Sequence, residues 1–463
     1  MAPPHPSSLT PGRRVGLVAA LVAFLVPLLV DVPGLDTPGE RMLAIFLMAI
    51  VLFVTEAIPL VATAVLIIFL EVLMLTEQAL VPLTEPAASS RDFWATLADP
   101  VIILFLGGFL IADGAAKYAL DRNLAAVILT PFQGDARRAM LALILMTAVL
   151  SMFMSNTATT ATMFAVLLPV LASLPSAATR TGFALAVPVA ANVGGIGTPV
   201  GSPPNAIALG ALAAQGESIS FVAWMIATVP LVLLLLLLAW VYLSWRYVPA
   251  RTPLRLNLTS SFDRSPAAVV FYVTSGATVL LWLTEALHGI PSTTVGFLPV
   301  VVLLATTVMT GDDLRALQWP VLWLVAGGIA LGHGVAASGL DDWLIGLVDW
   351  TALPGGVLLL VLAGVALLLG AVISNSATAN LLIPIALALA GTLGLDLVVV
   401  ALVVAVAGGL GMFLPVSTPP NAVAYATGTI QTRQMATVGV VVGITGTLLV
   451  TLVLPYYWGV IGI

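Results

Sequence analysis

The sequence predicts an all-α polytopic membrane protein with about 11 transmembrane helices and two re-entrant helical hairpins, arranged as two inverted repeats. Three observations support this prediction. The 463 residues are 60% hydrophobic and only 8% charged, whereas a soluble protein carries about a quarter charged residues. The chain contains a series of long apolar runs. Two further apolar regions are interrupted by Gly, Pro, Ser and Asn at matching places.

Nine apolar runs are predicted to be transmembrane spans, because a helix needs about 20 residues to cross a bilayer. The first run follows Arg13 and Arg14 and is predicted to be a span rather than a cleaved signal peptide. The nine runs are residues 15–32, 42–55, 58–75, 101–116, 221–245, 267–283, 293–309, 321–337 and 437–459. The first ten residues, rich in Pro and Ser, are predicted to be disordered.

Two long apolar regions, 140–216 and 353–428, contain residues that interrupt a continuous helix. Irregular backbone at membrane depth persists only where it is buried in protein or lines a cavity. We therefore predict that each region forms a re-entrant hairpin followed by a broken helix. The predicted hairpins are residues 138–175 and 354–392, and the predicted broken helices are residues 181–216 and 397–430.

Four motifs of the first half recur in the same order in the second half, which predicts an internal repeat. The pairs are Thr55-Glu56-Ala57-Ile58 with Thr284-Glu285-Ala286-Leu287, Pro100 and Gly107-Gly108 with Pro320 and Gly327-Gly328, Ser155-Asn156-Thr157 with Ser374-Asn375-Ser376, and residues 199–206 with 415–422. In this prediction each half crosses the membrane five times, which inverts the second repeat relative to the first. Inverted repeats with paired broken helices are typical of secondary transporters.

The most polar loop is the predicted boundary between the halves. The predicted domains are residues 1–37, the tail and first helix; 38–248, the first repeat; 249–266, a cytoplasmic linker; and 267–463, the second repeat. With the N-terminus in the cytoplasm, every Lys and Arg except Arg41 and Arg91 falls on the cytoplasmic side, which agrees with the positive-inside rule. The predicted location is the inner (plasma) membrane.

Four positions inside the interrupted regions predict helix starts. Ser155, Ser202, Ser374 and Thr418 are good N-caps, and two of them are followed by a pair of prolines. An open helix N-terminus carries partial positive charge and attracts anions. Capping alone is the alternative role of these residues, but their repetition in two halves favours a shared ligand site.

The interrupted regions are almost free of charge. No charged residue lies at 140–178 or 181–216, and Asp396 is the only one between residues 350 and 432. A bound anion would therefore lack a side-chain countercharge and would be neutralised by helix N-termini and bound cations. Ser, Thr and Asn oxygens suit sodium, because hard cations prefer oxygen ligands. The absence of cysteine excludes disulfides, thiolate nucleophiles and Cys metal sites.

The doubled Ser-Asn-Thr and Pro-Pro-Asn motifs, with the Thr-Glu-Ala-Ile-Pro segment that starts at Thr55, resemble the divalent anion:sodium symporter family of bacterial di- and tricarboxylate transporters. The resemblance covers nearly the whole chain after about residue 40. It implies a homodimer in the lipid bilayer, with a scaffold domain and an elevator-type transport domain. It also implies import of a small divalent anion, above all a C4-dicarboxylate of the succinate, malate and fumarate class, by symport with sodium. No nucleic acid partner is expected.

The resemblance also implies roles for single residues. The residues that would contact the substrate are Asn156, Thr157, Ser202, Asn375, Ser376, Thr418 and Pro419. The residues that would bind sodium, at about two or more sites, are Ser151, Ser155, Asn156, Gly201, Asn375 and Ser417. The second motif ends in Ser376 where the family has Thr, so the hydroxyl group is kept and a methyl group is lost.

Other functions stay open at this point. An enzyme would need a nucleophile, an acid–base pair or a metal site, and the interrupted regions lack them. A channel conflicts with paired hairpins that close the site. A sodium-independent dicarboxylate or anion exchanger, or a sulfate transporter, would share the same fold. Glu56 and Glu285 are either coupling acids or structural residues at span ends, and Asp113 and Lys117 are predicted to pair.

Overall fold

The structure, a computed structural model, describes residues 10–132, 134–174, 176–250, 252–254, 260–347 and 354–463. Within these ranges every regular element is a helix, as predicted. The first half contains α1 (Pro11–Leu29), α2 (Thr37–Thr55), α3 (Leu60–Leu75), α4 (Ser90–Ala95), α5 (Pro100–Lys117), α6 (Leu120–Leu129), α7 (Ala136–Phe153), α8 (Asn156–Ser173), α9 (Ala177–Gly194), α10 (Pro203–Ala214) and α11 (Phe221–Tyr247). The predicted disordered segment falls on residues 1–9, which lie outside the described residues.

The second half repeats this order of long helices and breaks. It contains α12 (Pro266–Leu283), α13 (Glu285–His288), α14 (Ser292–Val295), α15 (Phe297–Ala305), α16 (Gly311–Ala316), α17 (Trp319–Ala337), α18 (Leu340–Gly346), α19 (Gly355–Val372), α20 (Asn375–Leu393), α21 (Leu397–Gly409), α22 (Pro419–Ala426), α23 (Thr432–Leu452) and α24 (Leu454–Ile461). Short 3-10 turns cover Thr96–Ala98, Thr130–Phe132 and Gly195–Gly197.

Ten helical segments of the described chain are long and apolar enough to cross a membrane, which confirms a multi-pass membrane protein. Three of the ten, α7, α19 and α20, belong to the hairpins. Two predicted spans are shorter than expected. Residues 58–75 form the 16-residue α3, and residues 293–309 divide at Gly296 into α14 and α15.

Paired glycines allow α5 to approach the backbone closely at Gly296, where α14 and α15 divide. A Cβ atom on Gly107 of α5 would overlap the carbonyl oxygen of Gly296. Gly327 of α17 faces α3 in a similar way, since its Cβ would lie 2.7 Å from the Cα of Ala64. Small residues serve this purpose in helix contacts within membranes. The repeated Gly-Gly motif is therefore a packing feature.

Both predicted hairpins fold back on themselves. In the first, Ala139 near the start of α7 lines the same small pocket as Val170 near the end of α8. In the second, Gly355 at the start of α19 faces Leu395, two residues beyond α20. The chain therefore reverses at the repeated Ser-Asn motif. We call residues 155–157 and 374–376 the first and second tips.

Both predicted broken helices are also present. α9 ends at Gly194 and α10 begins at Pro203, while α21 ends at Gly409 and α22 begins at Pro419. We call the intervening residues the first and second breaks. A helix end leaves backbone N–H and C=O groups without helical partners, so each break contains backbone groups that must find other hydrogen-bond partners. The inversion of one half relative to the other stays a prediction.

The predicted pairing of Asp113 with Lys117 is wrong. Lys117 Nζ lies 2.6 Å from Asp313 Oδ2 and 3.1 Å from the carbonyl oxygen of Val308. Lys117 is the last residue of α5, so its long side chain extends past the helix end and reaches the second half. Burial would raise the pKa of Asp313, but hydrogen bonds from Lys117 and Thr310 outweigh burial and lower the pKa.

Candidate functional site

Four helices begin at a single cavity of about 440 Å³. Their first residues, Asn156, Pro203, Asn375 and Pro419, all line the cavity. Each helix N-terminus is equivalent to about half a positive charge. The cavity has the size of a small-molecule site, and the four N-termini make it favourable for an anion.

The structure brings the predicted site residues together. Each of them lines this cavity except Ser151, which contacts Asn156. The residues in the cavity wall are Ser155, Asn156, Thr157, Gly201, Ser202, Asn375, Ser376, Ser417, Thr418 and Pro419. None of the described lining residues has a charged side chain. The roles of the single residues stay predictions.

Serine caps hold both tips. Ser155 Oγ accepts a hydrogen bond from the backbone N–H of Ala158 at 3.2 Å, and Ser374 Oγ accepts one from the N–H of Ala377 at 3.1 Å. Each cap satisfies one of the N–H groups that a helix start leaves open. The cap does not use the other backbone N–H groups of the first turn, so a residue at a tip can cap its helix while the tip binds a ligand.

The side-chain amide of Asn156 faces three oxygen atoms. One of its terminal atoms lies 2.6 Å from Ser151 Oγ, 3.1 Å from the carbonyl oxygen of Gly201 and 3.3 Å from that of Ala191. When that atom is nitrogen, its two hydrogens donate within this set of three acceptors. In the other orientation the amide oxygen accepts a hydrogen bond from the Ser151 hydroxyl group at 2.6 Å and lies beside two carbonyl oxygens, which forms an all-oxygen set of the kind that hard cations prefer. A Cβ atom on Gly195 would overlap this amide, so glycine is needed there.

Asn375 holds the matching place in the second half. Its amide nitrogen donates to the carbonyl oxygens of Gly370 and Gly408 at 3.2 Å each in one orientation, and to that of Gly409 at 3.4 Å in the other. In either orientation the amide oxygen lies beside a carbonyl oxygen. The position that matches Ser151 is Gly370, so this oxygen set lacks a hydroxyl group.

The asparagine of each Pro-Pro-Asn motif holds a break. Asn205 Nδ2 donates to two backbone carbonyls of the first break, at 2.9 and 2.7 Å. Asn421 Nδ2 donates to the carbonyls of Met412 and Leu414, at 3.0 Å each. Buried carbonyl groups that leave a helix need such partners. The irregular backbone beside the cavity is therefore fixed by side chains.

A hydroxyl group also joins each break to the neighbouring hairpin. Thr198 Oγ1 donates to the carbonyl oxygen of Met152, and Ser417 Oγ donates to that of Ala371 at 2.6 Å. Met152 and Ala371 match in the two halves, but Thr198 and Ser417 do not. Ser417 Oγ also accepts from the N–H of Leu414 at 3.0 Å. Its proton is used inside the protein, and one lone pair remains for a cation.

The helices that follow the two breaks begin differently. Thr418 Oγ1 caps α22 by accepting from the N–H of Asn421 at 3.3 Å. Ser202 occupies the matching position, but its side chain makes no capping hydrogen bond. The predicted capping by Ser202 is therefore wrong, because the N–H of Asn205 bonds to the backbone carbonyl of Ser202 instead, at 3.1 Å. The Ser202 hydroxyl stays available to a ligand.

One wall of the cavity, formed by α3, α5, α17 and the residues before them, is almost entirely apolar. Its apolar members are Pro59, Leu60, Val61, Phe105, Phe109, Pro320, Val321 and Leu324. Gln318 is the polar exception among the described residues of this wall, and its Nε2 donates to Ser155 Oγ at 3.1 Å. Sequence reasoning missed Gln318, since a single Gln before a span forms no pattern.

Asn192 is a second lining residue that sequence reasoning missed. It lies in α9 and is only 2% exposed. Its Nδ2 lies 3.1 Å from Thr418 Oγ1 and 3.2 Å from Asn421 Oδ1, so it bonds from the first half to the second. A lone Asn in a long apolar helix is the signal that could have found it, because a buried amide needs partners.

A second cavity of about 550 Å³ adjoins the second break. It shares Ser374, Ser417, Thr418 and Pro419 with the first cavity, and its wall includes Glu56. Glu56 ends α2 in the left-handed conformation, and its side chain is exposed. We call this cavity the vestibule. Residues 195–202 of the first break are all buried, whereas Leu414 and Val416 of the second break are exposed.

A bundle of apolar helices that encloses an uncharged polar cavity beside broken helices defines a membrane transporter. The structure is similar to the solved structure of the Alcanivorax borkumensis YdaH transporter, with a TM-score of 0.56 and 15% identity over 87% of this chain and 99% of that chain. This likeness concerns the fold alone.

The chain belongs to the citrate transporter family, which it matches over residues 50–407 and 279–461. It is 30% identical to the sodium-dependent dicarboxylate transporter SdcS of Staphylococcus saprophyticus over 96% of this chain and 91% of the relative. It is 29% identical to SdcS of Staphylococcus aureus, with the same coverage, and to an uncharacterized transporter of Haemophilus influenzae, over 92% and 94%. The predicted symporter family is confirmed, and the protein is a transporter rather than an enzyme.

Proposed function

We propose that the protein is a secondary active transporter that imports a C4-dicarboxylate by symport with sodium. The observation that carries the proposal is the meeting of four helix N-termini in one cavity whose described wall has no charged side chain. Relatives that cover nearly the whole chain are named sodium-dependent dicarboxylate transporters. The proposed location is the inner membrane, with the N-terminus in the cytoplasm.

The anion would be bound by neutral donors. Thr157, Ser202 and Ser376 present hydroxyl groups to the cavity, next to the open first turns of their helices. A hydrogen bond to a charged group contributes about 1.5–3 kcal/mol. Several such bonds, together with the helix ends, compensate for the lost hydration of two carboxylates.

Sodium would complete the charge balance at the two asparagine sets. In the first set, a terminal atom of the Asn156 amide lies 2.6 Å from Ser151 Oγ and 3.1 Å from the carbonyl oxygen of Gly201, so a cation there would have several oxygen ligands. In the second, Asn375 lies among carbonyl oxygens, and Ser417 supplies a nearby lone pair. A cation in either set would hold the amide with its oxygen inward and its N–H groups toward the anion, which couples the two ligands.

The movement would be that of an elevator, with the hairpins and broken helices sliding along the apolar wall in each protomer of a homodimer. The hydrogen bond between Gln318 and Ser155 is the polar link between the apolar wall and the first tip. In the predicted orientation Glu56 lies at the cytoplasmic end of α2, so the vestibule opens inward. The domain boundaries at residues 37, 248 and 266 belong to this proposal.

Transport into proteoliposomes tests the coupling mode. With sodium outside and no substrate inside, a symporter accumulates labelled succinate, and uptake stops when potassium replaces sodium. A sodium-independent exchanger shows no net uptake until dicarboxylate is loaded inside. Uptake of sulfate in preference to succinate would identify the sulfate alternative. A thermal-shift screen of both anions, with and without sodium, checks binding independently, because a ligand of the folded state raises its stability.

We predict that Asn156→Ala and Asn375→Ala each abolish uptake while the protein stays folded. Each change removes the amide that lies at the helix start and in the oxygen set. Asn123→Ala is the matched control, since Asn123 is buried and makes two hydrogen bonds to Ser261 away from the cavity. The control should lower the melting temperature and keep the KM for uptake. Wild-type transport in both site variants would refute the assignment.

A further inference from the structure

We infer that Asn192 is a positioning residue that holds the hydroxyl group of Thr418 as a hydrogen-bond donor toward the substrate. The inference rests on the proposed function, because it assigns the atom that would meet a substrate oxygen. Asn192 and Thr418 both line the cavity, and both are at least 97% buried within the protein. Neither the Ser-Asn nor the Pro-Pro-Asn motif contains Asn192.

The direction of each hydrogen bond follows from the backbone. The carbonyl oxygens of Met412 and Leu414 can only accept, so the end of the Asn421 amide that faces them is its nitrogen. The oxygen of the same amide therefore faces Asn192, which must present its own nitrogen at 3.2 Å. That nitrogen also lies 3.1 Å from Thr418 Oγ1. The second break thus fixes the orientation of both amides.

The bonds to Thr418 decide what its hydroxyl group can still do. A hydroxyl has one proton and two lone pairs. Thr418 Oγ1 accepts from Asn192 Nδ2 and from the backbone N–H of Asn421, at 3.1 and 3.3 Å. Both lone pairs are therefore occupied, and the proton is left to donate. A group that can donate but not accept suits a carboxylate oxygen and disfavours the N–H donors of an amide.

Among the described residues of the first half there is no equivalent arrangement. Asn205 bonds to freed carbonyls as Asn421 does, but Ser202 makes no capping hydrogen bond. The Gly-Gly pairs at the ends of α9 and α21 align Asn192 with Val406, whose apolar side chain cannot donate a hydrogen bond to Ser202. The Ser202 hydroxyl can therefore turn and serve as donor or acceptor. We therefore predict that the Thr418 hydroxyl group selects for an anionic oxygen of the substrate and that the Ser202 hydroxyl group does not.

A double-mutant cycle tests the inference, with KM and Vmax for succinate uptake into sodium-driven proteoliposomes as readouts. The proteins are the wild type, Asn192→Leu, Thr418→Ala and the double variant. We expect each single variant to raise the KM about tenfold with little change in Vmax, since one charge-assisted hydrogen bond is lost. The double variant should match Thr418→Ala, because Asn192 acts through the hydroxyl that is already missing.

Thr418→Ser provides the rescue, because it keeps the hydroxyl, and Asn192→Leu should raise the KM tenfold again in that background. Two outcomes would overturn the inference. The KM increases of Asn192→Leu and Thr418→Ala could multiply in the double variant, or Asn192→Leu could lower the melting temperature and leave the KM unchanged. Either result would mean that Asn192 only supports Asn421. If Asn192→Leu does not fold, Asn192→Asp, of the same shape but without N–H donors, takes its place. Absence of succinate uptake in the wild type would instead overturn the proposed function.

Discussion

The first and second breaks share a motif but differ in their surroundings. The first break is buried throughout. The second is open to the vestibule, where Val416 is 80% exposed. Thr198 ties the first break to α7 and Ser417 ties the second to α19. The Asn192 amide supports only the second.

Similar sequence in the two halves determines where helices start, but not how the starts are supported. Packing on all sides holds the first break, in addition to the hydrogen bonds made by Asn205 and Thr198. The second lacks packing toward the vestibule and depends on hydrogen bonds from Ser417 and Asn192. The break with the more exposed residues is expected to be the one that rearranges when a ligand enters.

The largest effect is expected from Gly195→Ala. The new methyl group would overlap the Asn156 amide and displace it from its oxygen set. Overpacking and the lost hydrogen bonds together cost about 3 kcal/mol or more, so succinate uptake should fall at least roughly 100-fold. Gly409→Ala in the second half is the matched control, because its Cβ would lie 3.5 Å from Ile196, an ordinary contact. Equal loss in both variants would contradict the packing argument.

A smaller effect is expected when the hydroxyl groups that tie the breaks to the hairpins are removed. Ser417→Ala leaves the carbonyl of Ala371 without this partner, and Thr198→Val does the same to Met152. Each should destabilise the protein by about 1–3 kcal/mol, measured by thermal unfolding. Uptake should fall about tenfold in Ser417→Ala and less than about threefold in Thr198→Val, since packing still holds the first break. A larger loss of uptake in Thr198→Val than in Ser417→Ala would show that the exposure of a break does not determine how strongly uptake depends on its hydrogen bonds.

The smallest effect is expected from Gln318→Ala. Gln318 contacts Ser155 at the first tip only, so its loss removes one hydrogen bond, worth about 1 kcal/mol. The KM for succinate should change about fivefold. Gln78→Ala is the matched control, because Gln78 donates to Ser90 at the same 3.1 Å but outside the cavity. A KM unchanged in both variants would remove Gln318 from the site.

Local sequence was enough to predict the helix starts and their meeting place. Serine or proline at a helix start acts through its own backbone and neighbours, so Asn156 and Pro419 could be located without a structure. The hairpins followed from the interruption of apolar runs. Two motif copies then predicted a common cavity, which the structure contains.

Contacts between distant parts of the chain could not be predicted. Asn192 bonds to a residue 226 positions away, and Gln318 reaches Ser155 across 163 positions. Lys117 was assigned the wrong partner because helical spacing within α5 says nothing about Asp313, which α16 of the other half brings within reach. The capping failure of Ser202 is similar, since the choice between side-chain and backbone acceptors depends on how the break is folded.

The neutral cavity wall has a consequence for electrophysiology. Because the described lining residues carry no charge, the loaded and empty sites differ in charge only by their cargo. Each elementary charge moved across the membrane couples to the voltage by about 2.3 kcal/mol per 100 mV. The ratio of current to substrate flux would then give the number of cations carried with each dianion directly: no current for two, and one positive charge inward for three.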